Sequence, residues 1–449
     1  MPTFRALSAP AREPTVFYDY AAMTASGYTI ADQFGTATRK SQAATYLDRS
    51  CIQMTGIDST LQLNVTKTTA LALQSDAEGV FVLLACSDPF LLEASTATRV
   101  YCYPETSPGS NTADTTNYIF GGIWAQQELG NGWVLAYVPF SLMTVAGTGA
   151  VTDFRTKKLS QVGIRVTVSG TKPDVYVGGV WVGGATRAKC VLSYDGAYIS
   201  QKTLGKVAHD LYEIPGTLYV PYSVIDSGAN YLTSADLDTF YAAGWAIAGH
   251  SYSGVGLETL GEQQQLDEIG NFRRWSVGRG YTRGDGHWAW GYSVGTVNAT
   301  ESVRAICDRV MRASGLKSIR VGSAGSGLSH LRSNALGLAI SGATDPQTIY
   351  SPQITSALTV AQIRAFVETG IRHRMPMHMY AHEIAANQGA TVSGSATNYV
   401  TPTIYDQTTT PGTTQSVIPW IRSQIEAGMV DCVTVDDWYT GLTQPALVA

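Results

Sequence analysis

The chain has 449 residues, of which 44% are hydrophobic and only 14% charged, and its formal net charge is −5. This length predicts two or three domains, and the lack of a long basic run excludes the electrostatic footprint of a nucleic-acid-binding protein. No apolar run has the length of a signal peptide at the start, or of a membrane span of about 18 residues anywhere, so we expect neither a secretion signal nor membrane insertion.

The N-terminal part of the chain has the pattern of a β-rich module. Residues 1–25 contain three prolines and are predicted to form a connecting arm. Over residues 26–185, short apolar or alternating runs such as LQLNVTKTTALAL recur between turn-rich stretches, which predicts an antiparallel β-sandwich. Its closing runs, VGIRVTVSG and DVYVGGVWVGG, resemble the last strands of jelly-roll carbohydrate-binding modules. Trp124, Trp133 and Trp181 are therefore candidate sugar platforms, with core packing as the alternative.

Six cysteines lie scattered along the chain without a C-x-x-C pair. Structural zinc sites need closely spaced ligands, so this spacing predicts none. Several of the cysteines stand inside apolar runs, as Cys86 does in VFVLLAC and Cys190 in AKCVLSY. We therefore expect buried free thiols, which agrees with synthesis in a cytoplasm.

From about Lys189 onward, predicted strands alternate with predicted helices. KCVLSYD, GTLYVPYSV and WAIAGHS have the composition of strands, and SADLDTFYAAG that of a helix with Ser234 as its N-cap and Gly244 as its stop. Such alternation predicts parallel strands joined by crossover helices. The number of units favours a (β/α) barrel over residues 186–449, with its chemistry at the carboxyl ends of the strands.

Several segments of this half resemble the signatures of polysaccharide deacetylases, a carbohydrate esterase family. LSYDGAY (192–198) is similar to the first signature, TFDDG, and GWAIAGHSYSG (244–254) to the second, in which His-Ser-x-x-His closes a strand. WAWGYSVGT resembles the aromatic-Pro-Tyr-Gly loop, MYAHEI the final signature ending in His, and VDCVTVDDWYTGL the last strand. The resemblance implies a deformed (β/α) barrel and metal-assisted hydrolysis of an amide or ester.

The resemblance also implies roles for single residues. Asp195 matches the base, His250 a metal ligand and His382 the general acid that protonates the leaving group. Gly196 and Gly254 stand where the family has its second Asp and second His, so two of three protein ligands are absent. Shifting the register makes Asp195 a ligand and leaves the base missing. We expect no cofactor, or a zinc-like divalent metal if the protein is active.

Other histidines could rebuild the metal site. His378 lies four residues before His382 on a predicted strand, which separates the two by about 13 Å, and His287 in GDGHWAW is a further candidate ligand. The alternative for Asp195 is a bond to loop amides, and for His250 and His382 a place in the core.

Aromatic residues near these segments are candidates for substrate binding, because pyranose faces stack on aromatic rings. Barrel packing is the alternative for each of them. Arg320 is predicted to pair with Asp195 and counts among the substrate-binding candidates, with exposure as the alternative. The aromatic candidates are Tyr194, Trp288, Trp290, Tyr292 and Tyr380.

Three functions remain open from the sequence. The low charge, the sandwich and the missing ligands favour recognition of a bacterial surface polysaccharide by a virion protein, a phage tail fibre or spike made in the host cytoplasm, with catalysis weak or lost. The first alternative is an active deacetylase that hydrolyses N- or O-acetyl groups of a surface glycan. The second is a purely structural virion subunit. The expected partners are polysaccharide, other virion proteins and further copies of the chain, since a trimer would suit a fibre.

Overall fold

The computed structural model describes residues 15–19, 28–33, 41–46, 49–55, 60–73, 79–86, 97–107, 109–110, 112–122, 134–140, 143–147, 157–167, 174–182, 188–290, 306, 309–310, 313–323, 347–354, 358, 360–373, 377–384 and 417–442. The chain divides into two compact units, with the main division between residues 186 and 187. No helix in these ranges is long and apolar enough to cross a membrane.

The first unit contains two six-stranded sheets in which every pairing is antiparallel. One sheet has the order β3-β4-β12-β6-β9 with β1 also paired to β12, and the other has the order β10-β8-β7-β11-β5-β2. The antiparallel strands agree with the sequence pattern, while the packing of both sheets as one sandwich stays a prediction. The strands are β1 Thr15–Asp19, β2 Tyr28–Gln33, β3 Ser41–Tyr46, β4 Arg49–Met54, β5 Thr60–Leu71, β6 Gly79–Cys86, β7 Ala97–Pro104, β8 Tyr118–Gly122, β9 Val134–Pro139, β10 Thr144–Ala146, β11 Leu159–Thr167 and β12 Val175–Val182.

Two details of this unit bear on the sequence predictions. Strand β1 lies within the predicted arm over residues 1–25 and pairs with β12 from Thr15↔Val182 to Asp19↔Gly179, so this part of the arm belongs to the first sheet. Every residue of β12 is buried, and the Trp181 side chain packs in a core cluster with Leu83. Trp181 is therefore a core residue and not a sugar platform, whereas Trp124 and Trp133 lie outside the described residues.

The second unit is built on parallel strands. They follow the order β18-β17-β16-β15-β14-β13-β19, and β20 pairs with the start of β13. A parallel bridge between Gln353 and Tyr380 and a hydrogen bond of 2.7 Å from Ile354 N to Tyr380 O connect the two ends of this order. The sheet therefore closes into a distorted barrel, as the alternating pattern predicts. The strands are β13 Ala188–Asp195, β14 Thr217–Pro221, β15 Ala246–Ser251, β16 His287–Trp290, β17 Ser318–Ser323, β18 Gln347–Pro352, β19 Met377–Ala381 and β20 Val430–Cys432.

Helices connect these strands. The helix over Ser234–Ala242 begins with a capping box in which Thr233 Oγ1 accepts from Asp236 N and Asp236 Oδ2 accepts from Thr233 N. The predicted N-cap, Ser234, is therefore wrong by one residue, because the acidic partner stands three residues after Thr233. The helices are α1 Val207–Leu211, preceded by a π-helical turn Gln201–Lys206, α2 Ser234–Ala242, α3 Glu262–Gly278, α4 Val360–His373, α5 Val417–Glu426 and α6 Val435–Leu442.

The strand register places one group of side chains on the inside of the barrel. Asp195 pairs with Tyr219, Tyr219 with Ala248, and Ala289 with Arg320. Because side chains at paired positions of neighbouring strands point to the same face, these residues share the barrel interior. Tyr219, Ala248 and Ala289 pack together there, and the two alanines add little volume to this group. The long side chain of Arg320 can therefore cross the barrel.

The cysteines of the described ranges are free thiols, as predicted. Four are buried and Cys432 is partly buried. Cys307 lies outside these ranges. The buried four are Cys51, Cys86, Cys102 and Cys190.

Candidate active site

The centre of the candidate site is the carboxylate of Asp195, at the carboxyl end of β13. Its side chain is 2% exposed, and Arg320 Nη2 donates a hydrogen bond to its Oδ2 atom. The predicted pairing of Arg320 with Asp195 is therefore present. The guanidinium carbon of Arg320 lies 3.9 Å from the ring centre of Tyr380 and 5.0 Å from that of Tyr219. A guanidinium between two aromatic rings is held by cation–π attraction as well as by its carboxylate partner.

Two histidines face the same carboxylate oxygen. His250 on β15 and His382, which follows β19, place their Nε2 atoms 4.0 Å and 3.9 Å from Asp195 Oδ2. The carbonyl oxygen of Ala289 lies 2.9 Å from His250 Nδ1 and can only accept, so Nδ1 donates this hydrogen bond while Nε2 faces the carboxylate. These separations exceed a direct hydrogen bond and leave room for one bridging oxygen atom. Residues from three separate segments of the chain thus converge at the carboxyl ends of the strands.

Burial keeps His382 in its neutral form. The surrounding protein lowers its pKa to about 4, because burial disfavours the charged ring and outweighs the attraction of Asp195, while His250 and Arg320 lower the pKa further. At neutral pH the ring therefore enters any reaction uncharged. The role of general acid implied by the resemblance would require His382 to accept a proton first.

A buried glutamine ties the two signature ends together. Gln201, in the π-helical turn after β13, is fully buried, and its Nε2 donates to the backbone oxygen of Asp195 at 2.6 Å and of His382 at 3.0 Å. Single π-turns are frequent at functional sites. Sequence reasoning missed this residue, because nothing in ISQKTLGK distinguishes a buried amide from an exposed one.

A second missed residue orders the loop after His250. Glu268 on α3 is 8% exposed, and its Oε2 accepts hydrogen bonds from Ser251 Oγ at 3.1 Å, Tyr252 N at 2.8 Å and Ser253 N at 2.9 Å. The sequence did contain a signal for this residue, because Glu268 falls at helical spacing among the core-facing positions of α3. A carboxylate at such a position implies a buried partner.

The aromatic candidates for substrate binding lie in different environments. Tyr194 is 1% exposed, and its hydroxyl bonds His209 Nε2 at 2.8 Å beside the Trp245 ring, so the prediction that it lines a sugar cleft is wrong. Trp288 and Trp290 also belong to the core of the unit. Tyr380 is 7% exposed and lies against Arg320. Tyr292 lies outside the described residues.

The residues of the site do not fit a divalent metal. Gly196 and Gly254 have φ angles of +85° and +82°, and a Cβ atom would lie 2.5 Å from the ring of Tyr198 and 2.6 Å from Ser223 Oγ, respectively. The positive φ angles at residues 196 and 254 therefore favour glycine. Among the described residues, no three His, Cys, Asp or Glu side chains have the geometry to hold a metal ion.

The substitute ligands considered from the sequence are used elsewhere. His287, the first residue of β16, bonds Ser318 Oγ at 2.7 Å and Asp436 Oδ1 at 3.2 Å. His378, near the start of β19, is 2% exposed and packs edge-on against Trp438 at 4.4 Å. Both lie towards the amino ends of their strands, away from Asp195.

No family model matches the chain, and no curated protein matches it. Among solved structures it is similar to a family 4 carbohydrate esterase from Streptomyces lividans in complex with acetate, at 15% identity over 55% of this chain and 93% of that one, with a TM-score of 0.31. It is also similar to a peptidoglycan deacetylase from Bacillus subtilis (12% identity, 57% and 92% covered, TM-score 0.32). A third is a family 4 acetyl xylan esterase from Clostridium thermocellum in complex with a cobalt ion (15%, 56% and 90%, 0.33). The fold described above rests on strand order and register.

Proposed function

We propose that the barrel hydrolyses acetyl groups of a polysaccharide at the carboxyl ends of its strands. One observation carries the proposal: Asp195 Oδ2 lies 4.0 Å and 3.9 Å from the Nε2 atoms of His250 and His382. These residues come from three separate signature segments. A carboxylate and two imidazoles around one gap are the groups that general acid–base hydrolysis needs.

The geometry suggests a division of roles. Asp195 Oδ1 is buried and has no hydrogen-bond partner among the described residues, so the carboxylate keeps capacity to accept a proton from an attacking water. His382 is neutral at neutral pH and can take up that proton and return it to the leaving oxygen or nitrogen. His250, held through Nδ1 by the carbonyl oxygen of Ala289, presents its Nε2 atom to the same gap. The choice of an acetylated glycan as substrate rests on the signature resemblance of the segments that carry these residues.

The test is acetate release from soluble acetyl xylan and from N-acetylglucosamine oligomers. Asp195→Asn is expected to lower the rate by about a hundredfold or more, the usual contribution of an acid–base group. His382→Gln should do the same and alter the pH profile. Glu426→Gln, at an exposed position on α5, serves as the matched control and should retain the rate. Release that is unaffected by Asp195→Asn would contradict the assigned base.

A second candidate function is glycan recognition without hydrolysis. The observation that favours it is the bond from Arg320 Nη2 to Asp195 Oδ2, which engages the oxygen that faces both histidines. Under this candidate, calorimetry detects binding of the same glycans while no acetate is released. A place in a virion, contacts with other virion proteins and a trimeric state stay predictions. Light scattering of the purified chain and detection of the chain in particles would test them.

A further inference from the structure

Three side chains of the candidate site surround one atom, Oδ2 of Asp195. Arg320 Nη2 donates a hydrogen bond to this oxygen, and the Nε2 atoms of His250 and His382 lie 4.0 Å and 3.9 Å away. A cation bound by this carboxylate and the two imidazoles would have to lie against the same oxygen, because zinc bonds to oxygen and nitrogen are about 2.0–2.2 Å long. The guanidinium of Arg320 already occupies one side of it.

The guanidinium is fixed in this place. Arg320 is 1% exposed, lies between the rings of Tyr219 and Tyr380, and starts from a central position of β17 in register with Ala289 and Ile349. Its Nε and Nη1 atoms are buried without an acceptor among the described residues, so no second carboxylate in those ranges balances its charge. The guanidinium group of arginine is in effect always charged in proteins. The site therefore contains a permanent positive charge.

The positive charge of Arg320 and the lack of ligand side chains at residues 196 and 254 both disfavour the binding of a divalent ion. A divalent ion beside Asp195 would stand close to a like charge in a site with little solvent to screen it. The glycines at 196 and 254 supply no further donor to offset that repulsion, and a Cβ atom there would lie 2.5 Å from the ring of Tyr198 or 2.6 Å from Ser223 Oγ.

We propose that the guanidinium of Arg320 is the resident cation of this site and excludes a divalent metal from it. Arg320 places a positive charge beside Asp195, as a metal would, and its hydrogen bond orients the carboxyl group of Asp195 beside His250 and His382. This inference rests on the proposed function for its meaning in turnover. The exclusion of metal can be measured without any substrate.

The experiment is calorimetric titration of the full chain with Zn²⁺, combined with elemental analysis of protein purified from zinc-containing medium. The wild-type protein is expected to contain no stoichiometric metal and to show no saturable zinc binding. Arg320→Met, which keeps an unbranched side chain and removes its charge, should show zinc binding at the freed carboxylate at least about a hundredfold tighter than any residual binding by the wild type. Arg320→Lys, which keeps the charge, should behave like the wild type.

Two results would overturn the inference. One is wild-type protein with one metal per chain that Asp195→Asn removes, a result that needs no folded Arg320 variant. The other is folded Arg320→Met, checked by circular dichroism, that gains no zinc affinity over the wild type. Acetate release with and without a chelator separates this inference from the proposed function. Metal-free protein that releases no acetate defeats only the proposed function, and release that requires added zinc defeats only the inference.

Discussion

Replacing Asp195 by asparagine removes one half of an ion pair that lies inside the barrel. The side chains of Asp195 and Arg320 are 2% and 1% exposed, so the substitution leaves a buried guanidinium without its counter-charge. Breaking a buried pair in this way costs about 3–5 kcal/mol of unfolding free energy. Because the rings of Tyr219 and Tyr380 still contact the guanidinium in the variant, we expect a loss at the lower end of this range, about 3 kcal/mol.

The double variant tests the reasoning behind this magnitude. Arg320→Met combined with Asp195→Asn removes both charges, and an apolar replacement of a buried pair is often neutral. We therefore expect the double variant to be more stable than either single variant, with a coupling free energy of about 2–3 kcal/mol. Urea unfolding followed by tryptophan fluorescence gives all four values. Glu426→Gln, which breaks a half-exposed pair with Arg422 at 2.9 Å, is the control and should cost about 0.3–0.5 kcal/mol.

The reasoning is refuted if Asp195→Asn unfolds at the urea concentration of the wild type. It is equally refuted if the losses of the two single variants simply add in the double variant.

Three further outcomes are expected. Glu268→Gln replaces the carboxylate that accepts three hydrogen bonds from the segment Ser251–Ser253 by a neutral amide. The free energy of unfolding, measured in urea, should fall by about 1–3 kcal/mol. Lowering the pH below 6.5 should lower the melting temperature, because burial lowers the pKa of His209 to about 4 and that of His378 to about 3, and protons then bind preferentially to the unfolded chain. Gly284→Ala should destabilise the barrel much more than Gly280→Ala, because both glycines have positive φ but only at Gly284 would a Cβ atom meet backbone, 2.3 Å from a carbonyl oxygen.

Each of these outcomes has its own check. For Glu268→Gln, an unchanged urea midpoint would mean that backbone geometry alone holds the loop. For the pH effect, the contribution of each neutral histidine to the free energy of unfolding is complete above pH 6.5. It falls by about 1.4 kcal/mol for each pH unit as the pH decreases from 6.5 to the pKa of the folded protein. His209→Gln should therefore flatten the profile, and a profile that is level from pH 6.5 to about 4 would contradict the assignment. For the glycines, equal losses at the two positions would show that strain in φ, and not the close contact, sets the cost.

Local sequence patterns were sufficient for part of the site. Asp195 closes an apolar run and His250 closes another, so strand ends could be located from hydrophobic spacing alone. The signature resemblance then associated both residues with His382. The pairing of Asp195 with Arg320, 125 residues apart, was also predictable once the segments were placed in one barrel.

Tertiary structure alone decided which way the side chains point. In β13 nearly every residue is buried on both faces, so the sequence has no polar alternation that would distinguish the barrel interior from the helix-covered side. Tyr194 faces outward to His209 and its neighbour Asp195 faces Arg320, because successive side chains of a strand point to opposite faces.

The sequence by itself therefore indicated antiparallel strands followed by alternating strands and helices, and the three residues that could act on a proton. Folding decided that Gln201 and Glu268 support them and that the guanidinium of Arg320 bonds Asp195. The physical reason is that propensity and apolar spacing act within a few residues. Register, burial and charge pairing act between strands that lie far apart in the chain.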